Sequence, residues 1–350
     1  MLQLKKTFLY SLVLALLLCG NAKAGLYGVD SVNPYLPEET PQTTGFSPKH
    51  IANYRSLMRD NINFLSRYAK AKSPQFQIIL HGDDTLFNIG EVEYLTSQYN
   101  NIKNKTMNNE KTSLLASENI DAISVVGVSC DNKEIPQIIK DKKQTPIYIE
   151  HCSNEKEIDR AIEFSIENNA PAYLFSNREN AFKNIKGELI IKENSRNIFT
   201  TKDAKNISFL LDDGQFASKY EMIEDMSKTN YDIIVIKPLF HNKTRFTKAE
   251  IESMKFKKNG AKRLIIAEMN LTEANPIDYF WQEDWQLGSP SWLKRKSFVE
   301  ENSVITEYWQ PQWREVLSKH FNSIMNSGFD GVWFTGTENY QYFEKQTPVI

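Results

Sequence analysis

Tyr231-Asp-Ile-Ile-Val-Ile-Lys237 and Arg263-Leu-Ile-Ile-Ala267 decide the fold. Both are apolar at consecutive positions rather than alternate ones, so each strand must be covered on both faces. That is the pattern of parallel strands inside an α/β layer. Working outward, strands are expected at 76–80, 121–128, 146–150, 171–175, 207–211, 231–236, 262–269 and 330–335. Helices are expected between them at 53–73, 134–143, 154–169, 217–229, 247–259 and 311–327. The first carries Leu57, Ile62, Leu65 and Ala69 close to one face, and Asn154 with Glu157 reads as a helix-capping box. Eight such units in roughly 300 residues predict an α/β chain folded as a (β/α)8 TIM barrel. A doubly wound open sheet is the alternative, but no Gly-rich phosphate turn follows any strand. Residues 100–111 read as a polar surface loop, and a looser stretch at 177–205 separates the two halves.

The chain has 350 residues, with 42 Lys and Arg against 44 Asp and Glu and a net charge of −2. Such a balance lacks the basic excess that displaces counterions from phosphates, so no nucleic-acid partner is expected. Residues 1–24 read as a signal peptide. Lys5 and Lys6 form the positive region, Phe8 to Leu18 the apolar one, and Ala22-Lys23-Ala24 the cleavage site before Gly25. The apolar run is shorter than the ~20 residues a span requires, and no later segment is long enough, so no membrane span is expected in the mature chain. Cys19 lacks the small residues a lipobox needs before it, because Leu16, Leu17 and Leu18 precede it. Export to the periplasm or beyond follows, with residues 25–350 as a single domain. In an oxidising compartment Cys130 and Cys152, each just after a β-rich run, are either a disulfide or two buried thiols.

Four stretches of the second half resemble a known family. They are Tyr231 to Lys237, Ile266-Ala-Glu-Met-Asn-Leu-Thr-Glu-Ala274, Tyr308-Trp-Gln-Pro-Gln-Trp-Arg314 and Gly328-Phe-Asp-Gly-Val-Trp-Phe-Thr335. In order and spacing they are similar to the "YDLVVID", "YLSIGEAE", "YWDPEW" and "GFDGVYLD" segments of glycoside hydrolase family 114, whose named activity is endo-α-1,4-polygalactosaminidase. Asn53 to Arg59, Phe76 to Asp84 and Asn119-Ile-Asp121 resemble that family's later units, "FLIIPQNGEEL" and "AIDGIG". The halves are in swapped order, with 206–345 matching the family's first half and 45–176 its second. The resemblance therefore implies a circularly permuted barrel in which residues 45 and 345 are near neighbours. A closed barrel permits this, since it has no edge strand.

The resemblance implies an endo-acting hydrolase of an α-1,4-linked galactosamine-type polysaccharide, with no cofactor and no metal. Glycosidases need two carboxylates at the strand ends. Here the family's acids are replaced by Lys237, Thr335 and Val126. Glu273, matched to the "GEAE" segment, and Glu338, three residues past Thr335, are the expected catalytic pair. Lys237 is expected to pair with Glu273. Asp83 (with Asp84), Asp212 (with Asp213), Lys237, Trp281, Trp285 and Tyr340 are the expected substrate contacts, and Glu150 is a further acid at a strand end. The Trp-rich connection reads as about 40 residues without regular structure, its flat rings suited to sugar stacking. His81, His151 and His241 fall at strand ends, where three histidines could hold a metal. Three functions stay open: an active hydrolase on a cationic amino-sugar polymer, a catalytically degenerate polysaccharide-binding pseudoenzyme of the cell envelope, and a partner-binding scaffold.

Overall fold

The computed structural model describes residues 51–347 apart from 83, 105–117, 136, 141–142, 178–180, 184, 186–189 and 299–301. The expected signal peptide, residue 45 and Asp83 lie outside the described residues.

Eight parallel strands form one sheet. They are β1 (Gln77–His81), β2 (Ala122–Val126), β3 (Thr145–His151), β4 (Ala172–Phe175), β5 (Ile207–Leu210), β6 (Ile233–Ile236), β9 (Leu264–Asn270) and β13 (Gly331–Thr335). Their spatial order is β4-β3-β2-β1-β13-β9-β6-β5. The first strand in the chain thus pairs with the last, Gln77 opposite Gly331. The remaining gap, between β4 and β5, is nearly closed. The Phe182 carbonyl accepts the N–H groups of Leu211 and Asp212, the Phe182 N–H donates to the Tyr173 hydroxyl, and the Tyr173 and Phe209 rings meet at 5.2 Å.

Strand periodicity sorts the apolar residues. Ile79, Ile149, Phe209, Val235, Ile266 and Trp333 fill the inside of the sheet. Their neighbours Ile78, Leu80, Ile234, Ile236 and Ile265 face the helices. Those helices are α1 (Tyr54–Lys72), α2 (Glu91–Asn104), α3 (Gln137–Lys140), α4 (Glu155–Glu167), α5 (Lys219–Ser227), α6 (Lys248–Met254), α7 (Pro311–Ser327) and α8 (Tyr340–Gln346). Helix α1 buries Met58, Ile62, Leu65 and Ala69, so Met58 takes the core position expected of Leu57. The cap at Asn154 forms as expected, its side chain accepting the Glu157 N–H. Helix α2 was not foreseen; the Glu93 carboxylate caps it from inside by accepting the Gly90 N–H at 2.9 Å. At Gly331 a side chain would not fit, since a Cβ there would lie 2.3 Å from the Gln77 carbonyl oxygen of the neighbouring strand.

Two expectations need correction. Helix α6 stops at Met254 rather than 259, because the chain turns so that the Lys257 amine can reach Asp232. The long connection after β9 is not irregular. It holds a three-stranded antiparallel sheet of β10 (Glu273–Ala274), β12 (Val304–Thr306) and β11 (Leu293–Lys296), while β7 (Leu239–Phe240) and β8 (Thr244–Arg245) form a small hairpin. At the seam of the barrel, α8 packs on α1: Arg55 binds Glu344 at 3.1 Å and the Tyr54 and Phe343 rings meet at 5.4 Å. No helix among the described residues is long and apolar enough to cross a membrane.

Candidate functional site

Parallel strands bring their C-terminal ends to one face, and a cavity of about 100 Å³ opens there beyond β6 and β9. Strand register builds its centre. Ile236 lies opposite Ala267, so Lys237, the next residue, falls beside Glu268. Trp333 lies opposite Glu268, which brings Thr335, two residues on, to the same face. The Lys237 Nζ donates to Glu268 Oε2 at 2.8 Å, and the Thr335 hydroxyl donates to Glu268 Oε1 at 2.8 Å. Burial by itself would raise the Glu268 carboxyl, but Lys237 and Thr335 together hold it below the usual carboxylate range. Glu268 is therefore a fixed anion with both oxygens engaged.

A second acid, Glu273, opens β10 and lines the same cavity. Its Oε1 accepts from the Ser297 hydroxyl at 2.9 Å and from the Asn339 amide at 3.0 Å. The turn between the two acids is set by Asn270, whose Oδ1 accepts the N–H groups of Thr272 and Glu273, each at 3.0 Å. Gly336 must be glycine for this turn to form. Its φ is +70°, and a Cβ there would sit 2.3 Å from Asn270 Oδ1.

The far wall comes from α7 and the loop after β10. His320 is buried, and desolvation pushes it down to about 4, so it is a neutral imidazole at neutral pH. Its Nδ1 lies 3.2 Å from the Tyr279 hydroxyl, and the Arg245 guanidinium stacks over the Tyr279 ring at 5.1 Å. The cavity therefore presents a bound anion, a second carboxylate, a neutral imidazole and amide groups. That set suits hydroxyl- and amine-bearing ligands.

Of the expected site residues, the cavity gathers Lys237 and Glu273. Lys237 takes Glu268 rather than the expected Glu273 as its hydrogen-bonded acid. Glu338 is half-buried on a short turn and stands outside the lining; its neighbour Asn339 is the residue that reaches Glu273. Tyr340 is buried on α8, with its hydroxyl 2.6 Å from Thr85 Oγ1, and stands outside the lining. Asp212 accepts the Gly214 N–H at 3.0 Å and is ordinary turn chemistry, while Asp213 accepts the His241 N–H at 2.6 Å. Trp281 and Trp285 are half-buried and pack edge-on at 5.6 Å, and Trp285 continues onto Trp292 at 4.9 Å. These indoles pack together outside the cavity lining.

Elsewhere on the same face, Cys130 and Cys152 form a disulfide with Cα atoms 5.4 Å apart. Beside it, Glu150 accepts the N–H groups of Ser129 and Cys130 at 3.0 Å each, and burial raises its carboxyl. The three histidines go to three places: His81 to Ser124 Oγ at 3.0 Å and the Trp333 ring, His151 to the Phe175 ring, and His241 to the Asp213 and Phe216 carbonyls. Among the described residues no group of three His, Cys, Asp or Glu side chains could hold a metal ion.

The residues missed from sequence are Glu268, His320 and Tyr279. Glu268 carried a signal: laid without a gap, "YLSIGEAE" sets its first Glu on Glu268, not Glu273. His320 and Tyr279 carried none, since a lone histidine on a helix and a tyrosine in a loop are commonplace.

No family model matches the chain. It is similar to an uncharacterized protein of Methanocaldococcus jannaschii, 24% identical over 158 residues, covering 44% of this chain and 45% of that one. A Deinococcus radiodurans protein is 24% identical over 111 residues, covering 32% of this chain and 34% of its own length. A Thermotoga maritima protein is 21% identical over 81 residues, covering 23% and 25%. The chain thus spans less than half the length of the curated relatives it matches.

Proposed function

We propose that this protein is an exported polysaccharide-binding protein, a catalytically degenerate relative of glycoside hydrolase family 114 built on a (β/α)8 barrel with its halves in permuted order. One observation carries the reading. Lys237 and Thr335 stand where the family resemblance has aspartates, and they are the two side chains that occupy the oxygens of Glu268. A hydrolase needs one carboxyl to donate a proton to the leaving oxygen. The conversion of two acids into a cation and a hydroxyl turns an acid cluster into a neutralised anion, which can bind but has no proton to give.

The permuted order rests on the resemblance; the pairing of β1 with β13 and the contact of α8 with α1 bring the first and last elements together, as a closed barrel needs whichever half comes first. Export rests on the reading of residues 1–24. The ligand class, an α-1,4-linked galactosamine-type polymer, rests on the resemblance, and the carboxylates of the mouth suit its amines.

The competing reading, an active hydrolase, draws on Glu273 sharing the cavity with Glu268. Calorimetric binding of partially deacetylated α-1,4-galactosaminan, run beside reducing-end release, separates the two. Expected are saturable binding, no new reducing ends, and roughly tenfold weaker binding by Glu273→Gln, about the 1.4 kcal/mol of a hydrogen bond to a charged group. Release of reducing ends that Glu273→Gln abolishes would establish the hydrolase. Absence of both binding and release would sink both readings.

A further inference from the structure

The face opposite the mouth, where the strands begin, has a distinct surface. Residues 192–205 cross it and are fastened to the turn at 256–263. The Ile198 N–H donates to the Lys262 carbonyl at 3.0 Å, the Lys262 N–H donates to Asn197 Oδ1 at 2.9 Å, and Phe256 bridges to Lys262. From below, the buried Lys257 Nζ holds the carbonyls of Asn194 and Arg196 at 2.7 and 2.9 Å. The segment is thus a braced platform.

Two phenylalanines stand out from it. Phe199 is 58% exposed and Phe256 42% exposed. Phe256 pairs with Lys262, and Phe199 follows Ile198, whose N–H bonds the Lys262 carbonyl, with a cavity of about 380 Å³ beside Phe199 and Lys262. Around them Lys192, Arg196, Lys202, Lys258 and Lys262 are exposed. The cations crowd one another: Lys205 is lowered by burial and then by the charges of Lys192 and Arg196.

Of the carboxylates here, Glu193, Asp203 and Glu252 are exposed, while Asp330 and Asp232 are drawn inward. Asp203 caps its own turn at Phe199 and Thr200, Asp330 binds Lys255 at 2.8 Å, and Asp232 is sealed beneath with Lys257. The surface offered to solvent therefore sets these five exposed cations against three exposed acids, an excess of positive charge around the projecting rings, although the whole chain has a net charge of −2.

We infer that this face docks on an anionic phospholipid bilayer, with Phe199 and Phe256 entering the headgroup layer and the surrounding lysines and arginine facing lipid phosphates. Aromatic rings set among cations match an interface that is apolar below and negative above. A soluble polyanion would reward the cations but not the exposed rings. Docked this way, the mouth with Glu268 and Glu273 points away from the membrane. The inference is independent of what the mouth binds.

The test is co-sedimentation of the protein, as its cells accumulate it, with vesicles of phosphatidylglycerol and phosphatidylcholine, and with vesicles of phosphatidylcholine alone. Expected is partitioning that is strong only on the anionic vesicles and weakens in salt. Lys192→Gln, Arg196→Gln and Lys262→Gln should each lower it roughly fivefold. Phe199→Ser should lower it roughly tenfold, the loss of one buried ring. Lys156→Gln, an equal charge change on α4, should leave it unchanged. Equal partitioning on both vesicles, or Lys156→Gln matching Lys262→Gln, would overturn the inference. So would loss on Lys262→Gln with full retention by Phe199→Ser, the signature of a soluble polyanion as the partner.

Discussion

Strand β6 carries a lysine–carboxylate pair at each end, and the two pairs differ in almost everything but chemistry. Below it, Asp232 meets Lys257 at 2.6 Å with both side chains at 0% exposure. Above it, Lys237 meets Glu268 at 2.8 Å with the lysine 22% and the glutamate 7% exposed. The lower pair is saturated. Lys257 also holds two carbonyls, and Asp232 Oδ2 accepts the Lys205 N–H at 2.7 Å and the Asn194 amide at 3.0 Å. The upper pair lines a cavity. The same two functional groups serve as a lock where every donor and acceptor is used, and as a site where solvent or ligand can still reach them.

The largest effect should come from breaking the lock. Lys257→Met leaves Asp232 buried without its cation and frees the segment at 192–205. It should cost about 3–5 kcal/mol of unfolding free energy, measured by urea titration. A loss under about 1 kcal/mol would mean that the lower pair is no more structural than an exposed one.

Next come the buried histidines, which extend the comparison to pH. His320 at the mouth and His81 in the barrel are each lowered by burial to about 4. The folded state then resists a proton that the unfolded chain takes up near 6.5, so stability is full above that pH and falls as pH drops toward 4. Each histidine should contribute a slope of about 1.4 kcal/mol per pH unit in that window. His320→Phe should remove the part of the slope that His320 contributes between pH 6.5 and 5, up to about 1.4 kcal/mol per pH unit. An unchanged slope in this variant would place the pH dependence elsewhere.

The two ends also differ in how legible they were. The strands announced themselves, because Ile233 to Ile236 and Leu264 to Ala267 have no polar face to present. Position along a strand is likewise readable, which is why Lys237 was placed at the mouth. What a one-dimensional reading lacks is register across strands. Glu268 became the partner of Lys237 only because Ile236 pairs with Ala267, a relation between residues some 30 apart in the chain. Register across strands and helices likewise sets Tyr340, whose ring is buried on α8 with its hydroxyl near Thr85. The flat faces of Trp281 and Trp285, expected to meet sugar rings, also pack on one another, a contact between side chains that no single position announces. The lower lock gave no local sign, since Lys257 looks like any lysine after a helix.

Removing the upper cation should cost less than removing the lower one. In Lys237→Met, Glu268 keeps Thr335 and gains water from the cavity, so the expected loss is about 1–2 kcal/mol. Its carboxyl should rise, since burial is no longer opposed by Lys237, and a carboxylate-resolved NMR titration would read this. A loss equal to that of Lys257→Met would make the mouth a second lock. The binding reading would then lose its geometric ground.

The smallest effect is the sharpest control, because it holds geometry constant and changes only burial. Lys319 meets Glu315 at 2.7 Å one turn apart on α7, a distance between those of the two β6 pairs, but with side chains 73% and 66% exposed. In water such a pair exchanges one set of hydrogen bonds for another, and it must hold two long side chains still to do so. Lys319→Ala should therefore leave the urea midpoint where it is, at low and high salt alike. If it moved the midpoint as far as Lys237→Met does, contact distance rather than desolvation would be setting the strength of these pairs. The contrast between the two ends of β6 would then have to be explained by something other than access to water.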